Sequence, residues 1–417
     1  MFSRSLNVLP GTRGARRRLL SLIITYGYWI GGLGFVARGV LWFLSEGTND
    51  IRTWQRFANT IRIYGLGATY TYDPLFNHPP LMGMLAHATS LGAVRYGFRF
   101  ALAFKLYGML ADFGSALLLV HIWRRRGLRD HAALAFAGYG WALSTLLVSG
   151  YHGNTDPVYW FLVLCSVYFL QDRRAPFAAG LIMGAALEVK LIPMLVVLPL
   201  AACCRDWKSL VRYGVGIGIA LIPFAWIVLN LSAVDRASFA RNVFGYTSYR
   251  EFWGLELVLK ALVAASATSL PTVTRYVEIT GALWGELGSK ILLAVTTWLA
   301  AAHALRRYSG LDAYAIAALS FCLFLVLASG FGVQYMGAVA PLLFACRIRE
   351  GFAVATSSGV FIALIYASFV QTWSPVFSQH SYFSAAFAVP SFIAWCVILR
   401  ATTRLWRTRN WPLPLHD

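Results

Sequence analysis

FALAFKLYGMLADFGSALLLVHIWRRR, residues Phe100–Arg126, is the stretch on which the fold turns. From Phe100 to Trp123 the run is apolar except for Lys105, Tyr107, Asp112, Ser115 and His121, and it closes on Arg124, Arg125 and Arg126. A helix needs roughly 20 such residues to cross a bilayer. Basic residues gather on the cytoplasmic side of such a crossing. The stretch therefore reads as one span returning to the cytoplasm.

The same alternation of apolar run and basic cluster extends in both directions. Clusters stand at Arg16-Arg17-Arg18, Arg173-Arg174 and Arg306-Arg307, then at Arg404, Arg407 and Arg409. Of the 417 residues, 58% are hydrophobic and 13% charged, against about 25% charged in a soluble protein. The net charge of +19 is spent on these clusters rather than on a continuous groove, which argues against nucleic acid as a partner. The six cysteines lie within apolar runs or at their cytoplasmic ends, so neither disulfides nor a Cys-based metal site is expected. The first run, from about Leu19, is too long for a cleaved leader and reads as a retained signal anchor.

With the arginines as cytoplasmic markers, the chain reads as an all-α polytopic membrane protein of about twelve spans. Residues 1–417 form one membrane domain with both termini cytoplasmic. Span one (about Leu19 to Leu44) leads outward to a long external loop, residues 45–99. That loop holds an amphipathic stretch (Ile51 to Tyr64) and an apolar one (Leu81 to Val94) expected to lie on the membrane surface. Span three runs from about His131 to Ser149 and span four ends at Asp172. Span seven (Tyr213 to Leu229) leads to a second external region, Asn230 to about Leu287. Residues 346–417 add two further helices and a basic cytoplasmic tail.

Ala175–Cys204 is too short for its place. It starts and ends at cytoplasmic markers and so needs two crossings, yet each arm has only about 14 residues, reaching roughly 21 Å. The hydrocarbon core is about 30 Å thick. The hairpin tip, Glu188-Val189-Lys190, is therefore expected at membrane depth, where charges are tolerated only beside a cavity or a partner. Glu188 is one candidate partner for Lys190; a phosphate on an amphiphilic substrate is the other.

The remaining polar groups collect at outer ends of spans. Asp50 opens the first external loop, where Thr48, Asn49 or Asp50 could equally cap a helix. Asp73 and His78 flank a proline-bearing turn. His152, Asn154 and Asp156 follow span three, with Asp156-Pro157 able simply to start span four. Gln334 and Tyr335 follow Gly330-Phe331-Gly332-Val333. Lys105 and Asp112, about two turns apart on one face, read as structural polar contacts. No acidic partner near Asp50 makes a metal-binding pair, since Glu46 lies a helical turn away, so no metal and no other cofactor is expected.

These strings, in this order, resemble the GT-C superfamily of integral-membrane glycosyltransferases. The resemblance rests on Asn49-Asp50, His78-Pro79-Pro80-Leu81, His152-Gly153-Asn154-Thr155-Asp156-Pro157, Val189-Lys190-Leu191-Ile192-Pro193 and Gly330-Phe331-Gly332-Val333-Gln334-Tyr335. It covers roughly residues 19–345, and its nearest look is to bacterial enzymes using a sugar carried on polyprenyl phosphate. It implies that Asp50 is the catalytic base. Lys190, with His152, would bind the donor phosphate. Asp73, His78, Asn154, Asp156, Gln334 and Tyr335 would contact substrate. It further implies transfer of a hexose, of mannose or glucose type, to a lipid-linked or cell-envelope glycan. Transfer would invert the anomeric centre, on the outer face of the plasma membrane. The partners are then the polyprenyl-phosphate sugar, a glycolipid or glycan acceptor and the bilayer. Unlike several relatives, the chain has no large soluble C-terminal domain.

Two other readings stay open at this level. A flippase of lipid-linked saccharides would place charge along a two-sided path, often with inverted repeats, and no repeat is evident. A polysaccharide ligase or polymerase would fit an external basic loop such as that bearing Arg236, Arg241 and Arg250.

Overall fold

The computed structural model describes residues 10–245, 253–254, 257–258, 289–306, 312–328, 330–369 and 387–407. Among these residues the chain is helical, with no strand. Four helices are long and apolar enough to cross a membrane: the Ile24–Leu44 part of α1 (Pro10–Leu44), α4 (Phe100–Arg125), the Ile348–Ala367 part of Ile348–Phe369, and Ala388–Arg407. Two bent pairs raise the number to six. They are α5 (Arg129–Gly140) with Leu143–His152, bent by 47°, and α10 (Trp207–Ala220) with α11 (Ile222–Leu229), bent by 44°.

By length and composition the described residues thus give four to six spans where the sequence reading has about twelve. Helices do occupy the other apolar runs, but they are short: Asp156–Gln171, Pro176–Val189, Ala313–Leu327 and Val333–Cys346. Most of the second external region, including Arg250, and the end of the basic tail lie outside the described residues.

Lipid-facing surface is evident on α1. Trp29, Leu33, Val36, Val40 and Leu44 form one exposed stripe, with Trp29 at 78% exposure. A soluble protein rarely exposes so continuous an apolar face.

The first external loop folds on itself. α2 (Asn49–Tyr72) buries Ile51, Trp54, Phe57, Ala58 and Ile61, the spacing of one apolar helix face. It kinks at Gly65, whose φ of 83° suits a residue without Cβ. α3 (Pro80–Tyr96) packs back against it, and the Tyr70 hydroxyl donates to the His78 carbonyl at 2.9 Å. The amphipathic and apolar stretches expected in this loop are these two helices.

The short hairpin is present. α8 (Pro176–Val189) ends at Lys190, whose backbone turns extended, and α9 (Met194–Ala201) leads back. At about 1.5 Å per residue neither arm reaches across a 30 Å core. α8 lies between α7 (Asp156–Gln171) and α10. Its contact with α10 is backbone on backbone: a Cβ on Gly180 would sit 2.0 Å from the Tyr213 carbonyl oxygen. Small residues permit such approach between membrane helices.

Candidate active site

The third apolar run is not one helix. It breaks after Gly140, resumes as α6 (Leu143–Leu146), and widens into a π-helical turn, Leu147–His152. Gly153, at φ 81°, ends that turn. His152 and Asn154 are thereby brought to the start of α2. Thr48 donates to the His152 carbonyl from both its backbone N–H, at 3.1 Å, and its hydroxyl, at 3.2 Å.

Thr48 also settles which residue caps α2: its hydroxyl accepts from the Asp50 N–H. The Asp50 carboxylate is left for other work. Its Oδ2 is 3.0 Å from His152 Nε2 and accepts from the Asn154 amide at 2.5 Å. An ionised carboxylate only accepts, so Nε2 carries the proton in this contact. His152 Nδ1 lies 3.2 Å from the Thr48 hydroxyl, and its ring stacks on Tyr366 at 5.2 Å, 11° from parallel. Both bonds to Asp50 fall on Oδ2. Oδ1 accepts none among the described residues, and the side chain keeps 32% of its exposure.

A second cluster surrounds the hairpin tip. The Lys190 ammonium is 3.0 and 3.2 Å from the two carboxylate oxygens of Asp156, at the first turn of α7, and 4.6 Å from the centre of the Tyr335 ring. Asp156 is fully buried and Lys190 nearly so. Glu188 is not the partner of Lys190. Its carboxylate instead accepts from the Phe224 N–H at 3.2 Å, at the bend between α10 and α11. An anion at the start of a half-helix satisfies an orphan donor there.

Electrostatics join the clusters. Burial alone would raise the Asp50 carboxyl, but the His152 imidazole beside it, then Lys190 and His78, hold it at about 2. His78, packed 4.5 Å from the Trp54 ring, is pushed down to about 3 by burial and by Lys190, against the pull of Asp50. At neutral pH the loop therefore presents a carboxylate and a neutral His78.

Asp50, His78, His152, Asn154, Asp156, Lys190 and Tyr335 thus come together. Asp73 goes elsewhere: it accepts from Arg56 Nε at 2.7 Å and from the Leu75 N–H, fastening the end of α2. Gln334 folds over Gly332, where a Cβ would lie 2.7 Å from its amide nitrogen. Lys105 and Asp112 are structural, though not partners of one another. Lys105 donates to the carbonyls of Trp42 and Ser45 at the end of α1; Asp112 binds Arg38, Tyr139 and Ser149. Arg236 and Arg241 are engaged locally, with the carbonyls of Leu229 and Leu231 and with the Ser238 hydroxyl. Sequence reading left the cap open among Thr48, Asn49 and Asp50; it missed Trp54 and Arg56, and above all Tyr366, which lies in the helix Ile348–Phe369. Among the described residues no three His, Cys, Asp or Glu side chains stand together as a metal site.

The described residues thus hold an acid–imidazole–amide cluster and, electrostatically coupled to it, a buried lysine–aspartate pair within a helical protein that has membrane-spanning helices. The sequence profile of glycosyltransferase family 87 matches residues 76–330, and the chain belongs to that family. Its members are GT-C-type membrane glycosyltransferases, so the protein is a membrane glycosyltransferase. The matched segment includes His78, His152, Asn154, Asp156 and Lys190; Asp50 lies upstream of it and Gln334 and Tyr335 just beyond.

Proposed function

We propose that the protein transfers a hexose, of mannose or glucose type, from a polyprenyl-phosphate donor to a hydroxyl of a lipid-linked or cell-envelope glycan. The reaction takes place at the outer face of the plasma membrane. Asp50 is the general base. The observation that carries this reading is the Asp50 carboxylate itself: relieved of capping by Thr48, held on one oxygen by His152 and Asn154, and open on the other.

The acceptor hydroxyl gives its proton to Oδ1 as its oxygen attacks the anomeric carbon. The bond to the polyprenyl phosphate breaks on the opposite side, which inverts the configuration. A carboxylate held at about 2 is a weak base in the empty site. The donor's phosphate adds a negative charge and offsets Lys190, so Asp50 becomes more basic once donor is bound. Lys190 stabilises the leaving phosphate, exchanging part of its contact with Asp156 for the new anion. His78, neutral, and Tyr335 supply hydrogen bonds to the sugar. No metal or other cofactor takes part in this scheme.

The test uses purified protein in liposomes with a panel of polyprenyl-phosphate hexoses and a host lipid extract, with products read by mass spectrometry. Wild type should release polyprenyl phosphate and form a glycosylated lipid. Folded Asp50→Asn should lose at least about a hundredfold in rate, the scale of a lost general base. Normal transfer by that variant would move the base to Asp156.

A further inference from the structure

A fully buried polar cluster lies outside the site. Arg38 of α1 is fully buried, as is Asp112 of α4, and the two are hydrogen-bonded. The other Arg38 terminal nitrogen donates to the carbonyls of Tyr139 and Gly140 and to the Thr145 hydroxyl, each at 3.2 Å. Asp112 also accepts from the Tyr139 hydroxyl, and from the Ser149 hydroxyl at 2.8 Å. These partners lie on both sides of the break in the third run: Tyr139 and Gly140 before it, Thr145 and Ser149 after it.

That placement has a physical consequence. In an unbroken helix the carbonyls of Tyr139 and Gly140 would accept from amides one turn later. The Tyr139 carbonyl keeps a backbone donor, the Ala142 N–H at 3.1 Å, but the break leaves the Gly140 carbonyl to Arg38 within an apolar run, where unpaired backbone is expensive. Arg38 supplies that donor, and a planar guanidinium can serve two carbonyls and a carboxylate at once. Ser149 ties the π-helical turn itself to Asp112. Gly150 rests against the Arg38 backbone, where a Cβ would be 3.0 Å from its carbonyl oxygen.

We propose that the Arg38–Asp112 pair is the positioning element of the transfer site. By holding the break at Gly140 open, it fixes the register of the π-helical turn and so presents His152 and Asn154 to Asp50. Without the guanidinium, the cheapest repair is for the span to rewind through residues 140–143. That rotation carries His152 away from the Asp50 carboxylate. Its catalytic half rests on the proposed function, since it takes the Asp50–His152 contact to be where transfer occurs.

The experiment compares wild type with Arg38→Met/Asp112→Leu and with Arg38→Lys in lipid nanodiscs. The double variant removes both charges together, a change that buried pairs often tolerate without loss of fold. Arg38→Lys keeps the charge but loses the fork, and stands in if the double variant does not fold. Nitrogen-15 spectra of labelled histidine, with His152 assigned by His152→Gln, report its contact with Asp50 without any substrate. Transfer from short-chain polyprenyl-phosphate hexoses gives kcat and KM.

The expected result is a changed His152 signal in both variants. A fall in kcat of about tenfold or more should accompany it, with KM for donor within about twofold because Lys190 and Asp156 lie outside the network. A wild-type His152 spectrum in a folded variant overturns the proposal. So does a changed spectrum with unchanged kcat. If wild type itself transfers no sugar from the panel, the failure lies with the proposed reaction, while the spectra still decide whether Arg38 sets the position of His152.

Discussion

At Asp50 two opposing influences meet, and the balance predicts how the enzyme responds to pH. Burial favours the neutral acid; His152, Lys190 and His78 favour the carboxylate and win, holding the group at about 2 against an ordinary 3.8. A depressed carboxyl contributes stability that is present above its unfolded value and is lost as pH falls through its folded one. The Asp50 contribution is therefore complete at neutral pH and disappears only in strong acid, from about pH 4 down to about 2. The free enzyme should accordingly show no acid limb from Asp50 in kcat/KM above about pH 4. His152→Gln removes the nearest favourable charge and a hydrogen bond, so Asp50 rises and the acid limb moves to higher pH. Profiles of both proteins check this, and a limb that does not move would separate His152 from the base. Asp50, His152, Asn154 and Asp156 were legible as a group because they stand at ends of apolar runs, where polar groups are conspicuous. Asp73 reads alike in sequence, since one loop carboxylate looks like another; the structure pairs it with Arg56. Sequence was blind to Tyr366, since an aromatic residue in an apolar helix reads the same whether it faces lipid, core or the His152 imidazole.

Among the helices, the two bent spans share one device with opposite signs. The break after Gly140 leaves that residue's carbonyl, and a cation from α1 takes it; the bend at Leu221 leaves an N–H, and Glu188 takes it. Charged side chains that sequence marks as costly at membrane depth are here the groups that permit irregular backbone. The apolar runs themselves were legible, including the short hairpin, because length and hydropathy are local properties. The breaks were not. Pro223 hints at the second, but the first depends on Arg38, about a hundred residues away. α8 carries Lys190, the proposed phosphate ligand, and is held in place by the Gly180 contact with α10. A side chain at Gly180 meets backbone, which cannot swing aside. Gly180→Val should thus lower stability by about 1–3 kcal/mol and tilt Lys190 off Asp156. Thermal unfolding in detergent, paired with donor KM, tests both halves. Lost stability with unchanged KM would leave the helix contact purely structural.

At the scale of the molecule, two of the short helices meet at the candidate site. α7 and α8 meet at Asp156 and Lys190, and neither alone spans about 30 Å of hydrocarbon. On the proposed reaction a lipid-borne phosphate reaches Lys190 without leaving the bilayer, and α2 and α3 cover the site from the aqueous side. This arrangement requires that the loop 45–99 face outward and the arginine triplet inward. α4 makes that testable, because it joins the two and is long enough to cross. Gln55 on α2 and Arg125 at the far end of α4 are both exposed, so a cysteine at either is open to reagent. In a background with Cys396→Ser, a membrane-impermeant maleimide added to intact cells should label Gln55→Cys. Arg125→Cys should be labelled only after permeabilisation. The reverse pattern would put the Asp50 centre on the cytoplasmic face, where a soluble nucleotide sugar becomes the donor to consider. Equal labelling from one side would mean that α4 does not cross, and the positive-inside reading of the arginine clusters would fall with it.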